Sequence, residues 1–196
     1  MAASARDMSA LRDMDGIEKG QRKEKDAMID YPKIYRRIYS SRVWMDTLRH
    51  LDRLIVLFIS VAFVTYLAFY FFFHSPLEAI LYMMVSGVPL LAVTLMRRYF
   101  DFKRPYEVYD FEAMGITPPS SKMGKSFPSR HAFSAFLIGT LMIELMLPLG
   151  VVILVLALLM SVARVLLGLH FLRDVAVGAV LGVAMGVFGI LAIVLI

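Results

Sequence analysis

The sequence predicts an all-α membrane protein, a bundle of about five transmembrane helices with an interfacial helix ahead of it. Three observations predict this. Hydrophobic residues make up 59% of the 196 positions, and mean hydropathy is +0.70, too apolar for an ordinary soluble domain of this size. The apolar residues are gathered into long uncharged tracts, Leu54 to Phe73 and Val175 to Ile196, each long enough to cross a hydrocarbon core of roughly 30 Å as a helix. Finally, the cations are confined to alternate connections between tracts.

Along the chain, residues 1 to 30 mix both charges with almost no aromatic residues, which predicts a disordered or loosely helical tail. No apolar core of a cleavable leader occurs in the first 53 residues. In residues 31 to 51, Tyr31, Ile34, Tyr35, Ile38 and Tyr39 recur at helical spacing among Lys33, Arg36 and Arg37. This suits an interfacial helix with rings at headgroup level, and equally a plain linker helix. The division is therefore a tail and amphipathic helix over 1–50, then a membrane-embedded domain over 51–196.

Within that domain the first span is Leu54 to Phe73. The second is Ala79 to Met96, with Pro89 inside it as a tolerated kink. Ala132 to Leu147 and Leu149 to Leu167 form the third and fourth, interrupted only by Glu144 and Arg164, with Leu147-Pro148-Leu149-Gly150 as the turn between them. The last tract repeats Gly178, Gly182 and Gly186, a spacing that lets helix backbones approach closely, so this face should lie inside the bundle. With no cysteine in the chain, disulfides and thiolate metal sites are excluded.

The first 53 residues hold 12 of the 21 Lys and Arg. Arg97 to Arg130 holds seven, and Arg164 and Arg173 are the remaining two. With five spans all of these fall on one side, which the positive-inside rule makes cytoplasmic. The expected location is a multi-pass protein of the cell membrane, with N-terminus and site both facing the cytoplasm.

Polar residues at membrane depth are costly and point to function. They gather in three places: Arg97 to Pro105, Pro128-Ser129-Arg130-His131, and Arg164, His170 and Asp174. All three lie at the same predicted end of the bundle, and their chemistry suits a phosphate. Arginine offers forked donors that match phosphate oxygens. Ser129 stands at an N-cap position, where free backbone N–H groups favour an anion. His170 and Asp174 are four apart, so the carboxylate can fix the imidazole and leave its other nitrogen free to attack. His131 can protonate the leaving oxygen. Taken singly, Arg97 and Arg98 also suit the end of any span, and Arg164 also suits a snorkelling cation.

Together the clusters resemble the signature of the type 2 phosphatidic acid phosphatase family, which shares its fold with vanadium haloperoxidases. The family's Lys, six residues, Arg-Pro reads here as Arg97, six residues, Arg104-Pro105. Its Pro-Ser-Gly-His reads Pro128-Ser129-Arg130-His131. Its Ser-Arg, five residues, His, three residues, Asp reads Ala163-Arg164, then His170, then Asp174. The resemblance implies His170 as a nucleophile forming phosphohistidine, Asp174 as its orienting partner and His131 as general acid. It makes Arg97, Arg104, Ser129 and Arg164 the phosphate clamp and implies neither metal nor other cofactor. The departures are Arg97 for Lys, Ala163 for Ser, and Arg130 for Gly, the last either extending the clamp toward a diphosphate or pointing away.

The function implied is hydrolysis of a lipid phosphate or polyprenyl diphosphate. The alternative is a catalytically silent member that binds lipid phosphates or acts as a scaffold. Expected partners are the bilayer and the substrate lipid, with no nucleic acid and a homodimer left open.

Overall fold

A computed structural model describes residues 29–194. The tail expected over residues 1 to 30 lies outside them, apart from Ile29 and Asp30. The described residues are helical throughout the bundle, and no strand occurs among them. In chain order the helices are α1 (Tyr31–Tyr39), α2 (Arg42–Phe73), α3 (Pro76–Tyr99), the single turn α4 (Pro105–Val108), α5 (Arg130–Leu145), α6 (Leu147–Leu166) and α7 (Leu172–Val194).

Local chemistry sets the helix starts. Asp30 accepts the Lys33 N–H at 3.1 Å ahead of Pro32, Ser41 caps α2 through Trp44 N–H, and Ser75 accepts the Leu77 N–H at 3.1 Å ahead of Pro76. A hydroxyl or carboxylate at the cap satisfies an N–H that the helix leaves orphaned, and proline fits the first turn for the same reason.

Four helices, α2, α3, α6 and α7, are long and apolar enough to cross a membrane. Their outer faces carry Leu57, Val64, Met84, Leu91, Val155, Leu158 and Val180, all exposed. So much outward apolar surface requires lipid as its solvent. The third expected span, Ala132 to Leu147, is a helix of the expected length begun two residues earlier: α5 has 16 residues, about 24 Å at 1.5 Å per residue. It still runs the depth of the bundle, because it lies at the centre. A Cβ on Gly178 would sit 2.6 Å from Ser129 O, one on Gly182 2.4 Å from Phe133 O, and one on Gly186 2.7 Å from Thr140 Cβ. These register points advance together, so α5 and α7 run parallel in direct backbone contact, as the glycine repeat predicts. Buried at Phe133, Leu137 and Leu141, α5 meets protein where the outer helices meet lipid.

The turn between α5 and α6 also differs from expectation. It falls at Met146, and Pro148 and Gly150 belong to the first turn of α6. Pro148 is accommodated there because its missing N–H would be unpaired anyway. Gly150 packs against Ile143, where a Cβ would approach Ile143 N to 2.6 Å, so the glycine serves a tight hairpin and not a chain break. Near this end Tyr82 donates to Glu144, beside Tyr66 and Tyr70, with ring centroids of Tyr70 and Tyr82 4.6 Å apart. Glu144 thus sits at the end away from the three polar clusters.

The tyrosines of α1 turn inward, and none of their burial requires headgroups. Tyr31 and Tyr35 are buried against Tyr109, Phe111 and Phe171. Tyr39 Oη donates to Leu167 O at 3.1 Å. This anchors α1 to the same end as the polar clusters, with no further span between it and α2.

That arrangement yields a labelling pattern. Cysteines introduced at Ser40 and Ser121 should react alike with an impermeant thiol reagent, and one at Ser75 oppositely, against a cysteine-free background. With the cation bias setting orientation, only Ser75→Cys should label in intact cells. Opposite behaviour of Ser40→Cys and Ser121→Cys would be incompatible with this topology.

Candidate active site

The three polar clusters converge at one end of the bundle: the last turn of α3, the loop from 100 to 129, the first turn of α5, the last turn of α6 and the link between α6 and α7. His170 lies in that link. Leu167 N–H and Leu169 N–H return to Ala163 O and Arg164 O at 2.9 and 3.0 Å. Gly168 reverses the chain at φ +71, and a Cβ there would strike the Phe111 ring at 2.7 Å. Only glycine meets both demands.

Asp174 stands in the first turn of α7. Its Oδ2 accepts the Phe171 N–H at 3.1 Å, and its backbone carbonyl accepts the Ser129 N–H at 2.9 Å, joining the α7 start to the α5 start. His170 Nδ1 is 3.6 Å from Asp174 Oδ2, too long for a direct hydrogen bond. Ser126 fills the gap. Its Oγ is 3.3 Å from His170 Nδ1 and donates to Asp174 Oδ2 at 2.5 Å, and all three side chains are buried. With its hydroxyl proton given to the carboxylate, Ser126 accepts from Nδ1–H, so Nε2 keeps its lone pair. Burial pushes the His170 imidazole down to about 4, against the opposing pull of Asp174. The ring is therefore neutral at physiological pH.

The arginines surround this group. Arg97 is buried and donates through Nη1 to Pro128 O at 2.8 Å and through Nη2 to Lys125 O. Arg104 donates through Nε to Gly124 O and through Nη1 to Leu169 O, both at 3.1 Å. Each guanidinium has five N–H groups, so each ties the loop in place and keeps donors for an anion. Glu107 Oε1 accepts the Arg104 and Gly124 N–H groups at 3.0 and 2.8 Å, and Asp101 Oδ1 accepts the Lys125 N–H at 3.0 Å.

Ser129 is fully buried, and its Oγ accepts the Ala132 N–H at 3.4 Å, as an N-cap does. His131, half-buried in the next turn, is near enough to Arg164, His170, Arg130 and Arg97 for their charges to act on it. Arg130 opens α5 and faces a cavity of about 370 Å³ ringed by Arg97, Arg98, Arg104, Lys122 and Lys125. Arg164 does not snorkel. It is buried, and its Nε and Nη2 donate to Asp52 Oδ1 and Oδ2 at 2.7 and 2.9 Å.

All eight residues expected at the site thus share one end of the bundle, with Arg130 on the cationic cavity and Arg164 forked to Asp52. Ser126 and Asp52 escaped the sequence reading. Ser126 had a weak signal, lying three residues before Ser129 in the run Ser126-Phe127-Pro128-Ser129. Asp52 had none, standing among the charges that flank the first span.

Comparison with known proteins matches this architecture. The crystal structure of a transmembrane PAP2 type phosphatidylglycerolphosphate phosphatase from Bacillus subtilis aligns with a TM-score of 0.61 at 21% identity, covering 81% of this chain and 82% of that one. LpxE from Aquifex aeolicus aligns with a TM-score of 0.52 at 26% identity, covering 81% and 93% respectively. No curated protein matches the sequence. The PAP2 superfamily model matches residues 76–194, which takes in every one of the motif residues. The chain belongs to the PAP2 superfamily.

Proposed function

We propose that this protein is a membrane phosphatase that hydrolyses a lipid phosphate or polyprenyl diphosphate through a phosphohistidine. The observation that carries this reading is the His170–Ser126–Asp174 chain, buried and set among arginines that retain free donors. Nucleophilic catalysis needs an activated, oriented atom beside groups that stabilise charge on the transferring phosphoryl.

In the first step His170 Nε2 attacks phosphorus and the bond from phosphorus to the lipid oxygen breaks. His131 supplies the proton that the leaving oxygen takes up. The phosphorylated ring gains positive charge, which Asp174 stabilises through Ser126. In the second step water attacks phosphorus, His131 recovers a proton from it, and the P–N bond breaks to release inorganic phosphate and His170. Arg97, Arg104, Arg164 and the α5 N-terminus hold the phosphoryl oxygens throughout.

The cavity beside Arg130 bears on the substrate. Six cations around one space exceed what one phosphate requires, and this favours the diphosphate. Arg130→Gly, which restores the family's residue, should lower kcat/KM for a polyprenyl diphosphate by about 10-fold or more, the value of one charge-assisted bond. The matching monophosphate should change far less. Equal loss on both substrates would remove the diphosphate preference.

Phosphate release from a panel of lipid phosphates in detergent or proteoliposomes tests the reading. A folded protein that binds these lipids and releases nothing would leave the silent-binder alternative. Activity should also persist in excess EDTA. Among the described residues no group of three or more His, Asp or Glu forms a metal site, and Mg²⁺ favours carboxylates with phosphate oxygens. Loss on chelation, restored by Mg²⁺, would contradict the mechanism.

A further inference from the structure

We propose that Asp52, which precedes the segment matched to the family, is a positioning residue that sets the Arg164 guanidinium for the phosphoryl group. This rests on the phosphatase reading and adds to it a residue that none of the three motifs contains.

The geometry specifies how. Asp52 takes the side edge of the guanidinium, through Nε at 2.7 Å and Nη2 at 2.9 Å. A guanidinium has five N–H groups in fixed planar directions. The side-on fork uses one from Nε and one from Nη2. It leaves both N–H groups of Nη1 and the second of Nη2, and one Nη1 N–H with that Nη2 N–H forms the end-on fork. That fork can take two phosphate oxygens while Asp52 holds the other edge. A planar group held on one edge has no free rotation on the other, so the phosphate meets a donor pair already aimed.

Three further observations support a positioning role. Both partners are buried, Asp52 at 9% and Arg164 at 8% exposure, so the pair is not a solvated surface bridge of small effect. Arg164 is also tied to the segment that carries His170, since its carbonyl accepts the Leu169 N–H at 3.0 Å, one residue ahead of the histidine. Moreover, the N-terminal elements grip the same region at other points. Tyr39 Oη donates to Leu167 O at 3.1 Å, and Leu172 N–H donates to Tyr31 Oη at 3.3 Å. These contacts bracket His170, between the end of α6 and the start of α7. The first turns of α2, which carry charges ahead of its apolar tract, bring Asp52 to Arg164.

The test is a double-mutant cycle on the purified full-length protein, reading kcat, KM and inhibition by orthovanadate, an analogue of the transferring phosphoryl group. Asp52→Asn should lower kcat/KM and weaken vanadate inhibition by on the order of 100-fold, the effect of a misplacement near 1 Å. Asp52→Asn combined with Arg164→Ala should be no worse than Arg164→Ala alone, because Asp52 acts only through that arginine.

If the buried arginine left by Asp52→Asn prevents folding, Asp52→Glu decides. It keeps the charge and moves it by one methylene, so the protein folds, and kcat/KM should still fall about 10-fold or more. A purely structural role predicts less folded enzyme with unchanged kinetics in the folded fraction. That result, or multiplicative losses in the cycle, overturns the proposal. A wild-type protein without turnover would fail the phosphatase reading instead. Vanadate binding by calorimetry then decides for Asp52: weaker in Asp52→Asn supports its role, and equal binding refutes it.

Discussion

His170→Ala should abolish turnover while the protein still inserts and folds. Among the described residues, His170 is the histidine whose Nδ1 edge is held by a buried partner chain, which leaves Nε2 as the proposed nucleophile. Removing such a group from a concerted set costs about as much as removing the whole set, on the order of 10⁴- to 10⁶-fold in kcat. Folding should survive because the removal strands no buried charge. Asp174 keeps the Ser126 hydroxyl, the Phe171 N–H and the Arg173 Nε at 3.4 Å, and Ser126 keeps Asp174. The link between α6 and α7 is held by backbone bonds and by Tyr39 and Tyr31. Wild-type enzyme mixed with a ³²P-labelled lipid phosphate and quenched in alkaline detergent should carry base-stable, acid-labile label, and His170→Ala none. Near-native turnover in the folded variant would remove the nucleophile assignment.

The features legible in the sequence are those with local causes. The tracts after Leu54 and before Ile196 are long, uncharged and continuous, and hydrocarbon imposes that pattern on any helix crossing it. The Gly178, Gly182 and Gly186 spacing states which face of α7 packs closely, and α5 lies on it. The site motifs were legible because each is a short run at a helix end, where spacing alone places residues together.

Illegible were features set by tertiary partners. Pro148 and Gly150 are breakers in isolation, yet within α6 one fits the first turn and the other clears Ile143. The tyrosine face of α1 has the same periodicity whether it meets headgroups or Phe111 and Phe171. Asp52 and Arg164 are 112 residues apart, and no local pattern joins them. Helix α5 was counted among equals by composition, whereas its burial among the other helices is what lets it be short.

Asp174→Asn should lower kcat by about 10³- to 10⁴-fold with KM little changed. The reason is where the charge appears. Before attack the His170 ring is neutral, with burial holding its protonation down to about pH 4, and an amide at position 174 would offend little. As the N–P bond forms, the ring becomes cationic in a buried setting that screens charge weakly. A carboxylate is then worth far more than an amide, and the loss falls on the transition state and not on substrate binding. The amide also reverses one hydrogen bond. Asp174 Oδ2 receives both the Ser126 hydroxyl and the Phe171 N–H, whereas asparagine presents one oxygen and one NH₂. If the NH₂ faces Ser126, that hydroxyl must donate toward Nδ1, which puts the imidazole proton on Nε2 and removes the attacking lone pair. The same tautomeric failure accounts for the large cost of such a change in serine protease triads. Ser126→Ala separates the two contributions. It removes the bridge and keeps the charge, so its loss should be smaller, about 10- to 100-fold, the value of one buried bond to a charged group. Asp174→Asn should fold, since the bond from Ser129 N–H to its backbone carbonyl at 2.9 Å is unaffected. A kcat within a few-fold of wild type in folded Asp174→Asn would show that His170 is oriented without its carboxylate. A Ser126→Ala loss equal to that of Asp174→Asn would show that the hydroxyl, and not the charge, is what the ring requires.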